Sequence, residues 1–551
     1  MFNIINIVIL LLLTLCSNQC LCDICKVCEC VNTDSGLIVY CRGKFTQNDE
    51  TFYYEFLTTD DRSLYKLVQT GNFGTVLLTS QILKKMKYLK QLDLSGNLLE
   101  NIHIDVFEDL SDLEDLSYSN NRLSSFNISV LNANFPLVKL NLSHNMINSL
   151  ERSSQHMVTS LKVLDLSYNN LTYVYDDFLK AVPRVEYLDF SFNRLSELEA
   201  NALMHLQYLK ILRINDNRLL SLSFQDLPLR LEELHAGGNF IGILLPKKIS
   251  IRVLNIENNR ISDLREEFSL LEELMHLNIS GNFLSEFPSV KLKHLESLDL
   301  SFNNLTIIPK SISTNFFPML KIFNVSGNPL QDLKLQSELK LNIFEANYMD
   351  MIEGIHEDTF EKLKGRANEC INVTISNNNK LSVMAENAFH DINMCFLDMS
   401  NNRFTQFSPK IVYESTILKN TSFLINLQGN PFVCNCSLQW MLGNLIPYLY
   451  KMEPKLLEEL RCAGPAPFTN IRIVHWYKWQ NIKVFCNELP KRLLMASVAE
   501  VSSQQTATFS LSNGMLIVLS ITMTMLIFFV IIGIVMTRKM IVKKRRINRR
   551  F

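Results

Sequence analysis

Residues Leu89-Lys-Gln-Leu92-Asp-Leu94-Ser-Gly-Asn97-Leu-Leu99 and, farther along, Leu113-Glu-Asp-Leu116-Ser-Tyr118-Ser-Asn-Asn121-Arg-Leu123 share one pattern, L-x-x-L-x-L-x-x-N-x-L. Apolar residues at its fourth and sixth positions face one side of a short strand, because strand side chains alternate. One copy cannot cover that apolar edge, so neighbours must stack and bury it together. The asparagine at the ninth position leaves the strand as the chain turns. There its amide can serve buried backbone groups that have no ladder partner.

Working outward, the asparagine recurs at Asn97, Asn121, Asn145, Asn169, Asn193 and Asn217, each 24 apart. The spacing then loosens through Asn239, Asn259, Asn282, Asn303 and Asn328. A degenerate copy with Leu341, Phe344 and Ala346 puts Met349 in the asparagine place, and Asn378, Asn402 and Asn430 complete fifteen copies. A weaker copy around Leu64, Leu67 and Asn72 precedes them. The frame predicts an α/β solenoid, a curved repeat array with a parallel concave β-sheet and turns or short helical pieces outside. Phe107, Leu110 and Phe178 are expected to fill its outer half. Wider spacings before Asn378 and Asn430 predict longer loops there.

The array overrides the several domains that 551 residues would otherwise allow. Composition is that of a folded protein, 47% hydrophobic and 20% charged. The net charge of −1 hides an asymmetry: residues 537–551 hold eight Lys or Arg and no acid, which leaves 46 basic against 55 acidic residues upstream. No nucleic-acid partner is implied. Residues 1–22 are uncharged, with an apolar core from Ile4 to Leu15 and small residues Cys20 and Cys22 before Asp23, as in a cleaved signal peptide. Ten of the thirteen cysteines follow that cut. An even number behind a signal peptide, clustered at the two ends of a solenoid, points to disulfide-stapled caps rather than zinc. Cys370 and Cys395 fall at the first and second positions of adjacent copies. Parallel strands lie about 4.8 Å apart, so a Cys370–Cys395 bond is expected.

Cys25-x2-Cys28-x-Cys30-x10-Cys41 resembles the amino-terminal cap of extracellular leucine-rich repeat proteins, a group that includes Toll-like receptor ectodomains and adhesion receptors. Asn430-Pro-Phe-x-Cys434-x-Cys436-x3-Trp440, with Cys462-Ala-Gly-Pro465 and Cys486, is similar to that family's carboxy-terminal cap. The resemblance implies Cys25–Cys30, Cys28–Cys41, Cys434–Cys462 and Cys436–Cys486. It covers roughly residues 25–486 and speaks to architecture far more than to ligand.

Residues 515–536 are uncharged and apolar. Rising about 1.5 Å per residue, such a helix crosses a bilayer. The basic run after it places that side in the cytoplasm. The expected organisation is signal peptide 1–22, amino-terminal cap 23–63, repeats 64–432, carboxy-terminal cap 433–487, juxtamembrane linker 488–514, transmembrane helix 515–536 and basic tail 537–551. This describes a single-pass plasma-membrane glycoprotein with its amino terminus outside and a tail too short for autonomous signalling. The tail either binds anionic lipid or only sets topology.

Nine N-x-S/T sequons lie in the expected ectodomain, at Asn127, Asn141, Asn170, Asn278, Asn304, Asn324, Asn372, Asn420 and Asn435. Asn141, Asn278 and Asn324 take the fifth repeat position, where glycans would obstruct the concave sheet. None falls between Asn170 and Asn278, so the concave surface from Leu161 to Ile261 is the expected binding region. Its exposed third and eighth positions include Tyr187, Ile211 and Glu233, and Tyr168 and Phe192, which are the candidate ligand-binding residues. These rings either meet a partner or pack on one another. The second positions Lys162, Glu186, Lys210, Glu232 and Arg252 alternate in sign and are expected to form a cross-strand ladder.

Histidines are scattered, and no G-x-S-x-G, H-E-x-x-H or phosphate loop occurs. Neither an enzyme nor a cofactor is expected. The leading expectation is a cell-surface receptor or adhesion protein that binds an extracellular or cell-surface protein, alone or as co-receptor to a signalling partner, with homo-oligomerisation left open. The alternative is an innate-immune pattern-recognition or decoy receptor with a Toll-like ectodomain. A third reading is a secretory-pathway protein that presents clients at the membrane.

Overall fold

The third to fifth positions of each copy are too few for a helix and alternate in polarity, so they form three-residue strands. In the structure, a computed structural model, Tyr187–Asp189, Ile211–Arg213, Glu233–His235 and Val253–Asn255 are such strands. Their central leucines, Leu188, Leu212, Leu234 and Leu254, are fully buried. The structure describes residues 25–486 apart from 26–27, 43–63, 72–85, 103–105, 108, 132–135, 152–156, 199–201, 367–368, 391, 414–422 and 480–484. The expected signal peptide, linker, span and tail lie outside the described residues, as do Asn72 and Asn420. No helix among the described residues is long and apolar enough to cross a membrane.

Successive strands pair in parallel and in step, Leu164 beside Leu188, Leu212, Leu234 and Leu254 in turn. Among the described residues the pairing runs through one 18-stranded sheet. Its first two strands, Glu29–Thr33 and Gly36–Arg42, form an antiparallel hairpin. The weak first copy is a full member: Leu64–Thr70 pairs with the hairpin on one side and Gln91–Asp93 on the other.

The ninth-position asparagines form a buried spine. Asn193 Nδ2 donates to Leu166 O, Phe190 O and Ser191 O at 2.9, 3.0 and 3.3 Å, and its Oδ1 accepts from Leu171 N–H at 3.0 Å. Each asparagine thereby serves its own turn and that of the copy before it. This is the amide role expected at that position, because the turn's backbone groups point away from the sheet and are shut off from water. Where Met349 replaces the asparagine the spine breaks, and the buried Asn378 Nδ2 is left without a hydrogen-bond partner.

The outer side corrects one expectation. Among the described residues, helix within the array is limited to Asp176–Lys180, Pro409–Tyr413 and single 3₁₀ turns such as Phe224–Asp226. The array is therefore a β-solenoid rather than an α/β one. Outer segments of about ten residues are too short to make a helix worth its nucleation. Phe107, Leu110 and Phe178 nevertheless fill the outer half of the core, each fully buried. The long copy before Asn378 is used for extra outer strands, Leu339–Leu341 beside Leu363–Gly365 and Gly354–Ile355 beside Val383–Met384.

Disulfides join Cys25 to Cys30, Cys28 to Cys41, Cys434 to Cys462 and Cys436 to Cys486, so both ends of the sheet are stapled. Cys370 and Cys395 are also bonded, with Cα atoms 5.2 Å apart. At the carboxy-terminal end the Trp440 indole N–H donates to Phe407 O at 3.1 Å, and Tyr448 Oη donates to Phe423 O at 2.6 Å. These bonds fasten the helical cap around Ile446–Met452 onto the last copies.

Candidate ligand surface on the concave sheet

Parallel pairing in constant register turns each repeat position into a row. The third-position row runs Val163, Tyr187, Ile211, Glu233, Val253, each residue beside the next. The fifth-position row runs Asp165, Asp189, Arg213, His235, Asn255 on the same face. Tyr187, Ile211 and Glu233 are therefore brought together, each half-buried by its neighbours.

These two rows lock into a polar and aromatic cluster. Tyr187 Oη donates to Asp189 Oδ2 at 3.0 Å. The Arg213 guanidinium sits 6.0 Å from the Tyr187 ring centroid, within cation–π range. His235 Nε2 lies 3.5 Å from Glu233 Oε2, too long for a good hydrogen bond. The buried Arg213 Nε has no hydrogen-bond partner. Burial and then the Asp189 carboxylate push the Tyr187 hydroxyl up to about 12, so it stays a donor. Burial first, and Arg213 second, hold the His235 imidazole below its ordinary range against the opposing pull of Glu233. At neutral pH the cluster presents one guanidinium, two carboxylates, a neutral imidazole and a phenol. Hydrogen bonding and ring contact to a protein are within its means; it has no arranged nucleophile and base.

Tyr168 and Phe192 form a second feature on the rim. The eighth position has positive φ in every copy, held by the asparagine turn that follows. Its φ is 54° at His144, 54° at Tyr168 and 56° at Phe192, a region bulky side chains rarely adopt. The three rings stack in series, 4.1 Å from His144 to Tyr168 and 4.1 Å from Tyr168 to Phe192. Tyr168 and Phe192 remain 43% and 42% exposed, so stacking covers their faces and leaves their edges in water. Farther along, Phe302 and Tyr348 repeat the motif across Gly327. A Cβ there would come within 2.4 Å of the Phe302 ring, and only glycine lets that ring lie over it toward Tyr348, 6.2 Å away.

The structure thus groups the five candidate residues as a sheet trio and a rim pair. His144, Asp189, Arg213 and His235 join them; none of the four is among the candidate ligand-binding residues of the sequence. The signal was in the frame: His144 shares the eighth position with Tyr168, and the other three share the fifth. The second-position charges are spent on each other. Glu186 accepts from Lys162 and Lys210 at 3.1 and 2.7 Å, and Arg252 meets Glu232 at 3.4 Å. The hydrogen bonds from Lys210 and Lys162 hold the Glu186 carboxyl below its usual range. This ladder belongs to the scaffold. On one side of the candidate stretch Asn141 occupies the fifth-position row, and on the other stand Asn278 and Asn324, with amide nitrogens 2.7 Å from Glu257 Oε2 and 3.1 Å from Asp299 Oδ2.

A family model described as leucine rich repeat matches residues 135–195 and 249–305. Those two segments are matched as leucine-rich repeats, and the stacked parallel strands and asparagine spine run through both of them. A 95-residue segment is 34% identical to Toll-like receptor 10 of Bos taurus, covering 17% of this chain and 12% of that receptor. Keratocan of Gallus gallus is 26% identical over 195 residues, 32% of this chain and 52% of keratocan. The chain thus spans between about an eighth and about half the length of these relatives. A leucine-rich repeat protein of Leptospira interrogans superposes with a TM-score of 0.50 at 23% identity, over 67% of this chain and 86% of that one. A chain of the glycosylated Toll–Spatzle complex of Drosophila does so with a TM-score of 0.50 at 15% identity, over 82% and 76%. At these identities the likeness is one of fold.

Proposed function

We propose that this chain is a cell-surface receptor or adhesion protein that binds an extracellular protein through the concave surface of its leucine-rich repeats from Leu161 to Ile261. The observation that carries the reading is the pairing of the Tyr187–Asp189–Arg213–His235–Glu233 cluster with the exposed Tyr168–Phe192 stack, on neighbouring copies whose strands carry no sequon. Rigid rings beside hydrogen-bonding groups on a preformed sheet cost little entropy to engage. Arg and Tyr are also the side chains on which binding energy concentrates. Glycans at Asn141, Asn278 and Asn324 would frame that stretch and direct a partner to it. A membrane span at 515–536 would hold the array outside the cell and, with the basic residues after it, suit a co-receptor that joins a signalling partner. The test is Tyr187→Ala, Phe192→Ala and Ile211→Ala in combination, displayed on cells. Partner binding should disappear while surface delivery persists; undiminished binding sinks the proposal.

Immune recognition by the same surface is the second reading. Its support is the Toll-like receptor 10 segment, and binding of microbial material rather than a host protein would select it.

A further inference from the structure

The copies shorten just past the rim stack. The asparagine spacing is 24 from Asn193 to Asn217, falls to 22 at Asn239 and to 20 at Asn259, and returns to 23 at Asn282. The sheet keeps its register throughout, so the missing residues come out of the outer wall. The copy between Asn217 and Asn239 retains a 3₁₀ turn at Phe224–Asp226, and the copy after Asn259 has one at Glu266–Leu270. Between them, the shortest copy runs from strand Ile243–Leu245 through Pro246 and Lys247 with no helical turn. The outer surface therefore steps inward. The step leaves a recess of about 420 Å³ between Met204 and Gln207, the segment Leu227–Arg230, and Lys247.

The lining is apolar with a cationic edge. Leu227 and Pro228 are buried, whereas Met204 and Leu229 are 43% and 62% exposed. Leucine and methionine left this open in an array that buries nearly every other outer leucine mark a contact surface. Two cations and no acid line the recess. Lys247 Nζ reaches Gln225 O at 3.3 Å. Arg230 has neither hydrogen bond nor ion pair among the described residues. Ile243 and Leu245, 53% and 42% exposed, extend the apolar surface along the strand that leads into Lys247. The whole patch falls in the interval between Asn170 and Asn278 that carries no sequon.

We propose that this recess docks an acidic, apolar segment of a protein partner, an extended stretch in which a Leu, Ile, Met or Phe side chain lies next to Asp or Glu. The apolar side chain fills the step and dries Met204 and Leu229, and the carboxylate takes the unpaired Arg230 fork, the pairing geometry a guanidinium favours. The recess lies on the outer wall and the concave cluster on the sheet. The two surfaces can therefore be occupied together, and the chain would bridge two proteins. This goes beyond the concave reading and can fail or hold without it.

The experiment selects a phage-displayed library of short linear peptides on the purified full chain in detergent. It then compares the selected peptides on Leu229→Asp, on Arg230→Glu and on the concave triple variant, with thermal melting as the folding control. Both recess positions are exposed, so Arg230→Glu keeps the test open if Leu229→Asp folds poorly. Enriched peptides should carry an apolar residue beside an acid. Their affinity should fall at least about tenfold, about 1.4 kcal/mol, in either recess variant and hold in the concave one. A library that enriches no such motif overturns the proposal. So do peptides whose binding survives both recess variants. Saturable binding of oleate that Arg230→Glu abolishes, with no peptide selected, would assign the recess to a small amphipathic anion and also overturns it.

Discussion

Replacing Asn193 with alanine removes one link of the spine and strands the groups it serves. Leu171 N–H loses its acceptor outright, and a buried unpaired amide costs about 1–3 kcal/mol. The three carbonyls are better placed. Leu166 O still accepts from Asn169 Nδ2, Phe190 O from Asn217 Nδ2 and Ser191 O from Tyr168 N–H. Each lost bond there is therefore a partial loss of about 0.5–1.5 kcal/mol. The sum is about 2.5–7.5 kcal/mol, felt by two adjacent copies because the bonds cross between them. In a solenoid that loss need not unfold the whole array at once. The assay is accordingly hydrogen exchange, resolved along the chain, together with the denaturant midpoint. Protection should drop across residues 164–171 and 188–195 first. Asn193→Asp keeps an acceptor for Leu171 N–H but turns a carboxylate toward the three carbonyls, so it should be no milder. A loss under about 1 kcal/mol for the alanine variant, or an aspartate variant as stable as the parent, would refute the spine as the source of the array's cohesion.

Three further outcomes follow from the same geometry. Tyr168→Asn gives up a ring stack worth about 0.5–1.5 kcal/mol but relieves a positive φ that costs a bulky residue about 1–2 kcal/mol; its melting should stay within about 1 kcal/mol of the parent while partner binding weakens. The His235 imidazole is held below its ordinary 6.5 in the fold, so the unfolded chain takes up that proton first. The stability it contributes is complete above 6.5 and is lost as pH falls through the folded value. His235→Gln should flatten that limb of a pH–stability curve, and an unchanged slope would contradict the assignment. Cys370→Ala with Cys395→Ala opens a loop of 25 residues, a loss of about 3.5 kcal/mol on the chain-entropy account. It should lower the midpoint, with the greatest loosening in the two copies that carry Asn378 and Asn402.

The asparagine frame was legible because its period is a physical requirement: each copy must offer the next an apolar edge and a turn amide. Register followed from it, and so did the rows that place Tyr187 beside Ile211 and Glu233. The structure forms the five cysteine pairs that the cap resemblance and the adjacent-strand geometry had indicated. The outer wall was less legible. Nothing periodic constrains it, and where it would take a turn and where a short helix such as Asp176–Lys180 or Pro409–Tyr413 was not set by the frame. The recess at Lys247 arises from a difference in length between neighbouring copies, visible in the spacing of Asn217, Asn239 and Asn259 but without meaning until the wall is built. The Arg213–His235 cluster was illegible for another reason: the frame fixes which fifth-position residues adjoin but not which side chains pack, and only the side-chain geometry separates Arg213, packed on the Tyr187 ring, from the paired second-position ladder.

The most direct test of the central claim is a screen of the purified full chain against a library of cell-surface proteins, the chain itself included, followed by a hydrogen-exchange footprint of any saturable complex. The account predicts a protein hit whose footprint covers the strands between Leu161 and Ile261, with protection centred on Tyr187–Asp189 and Ile211–Arg213. A footprint elsewhere on the array, or a folded and glycosylated chain that binds no protein at all, would contradict it.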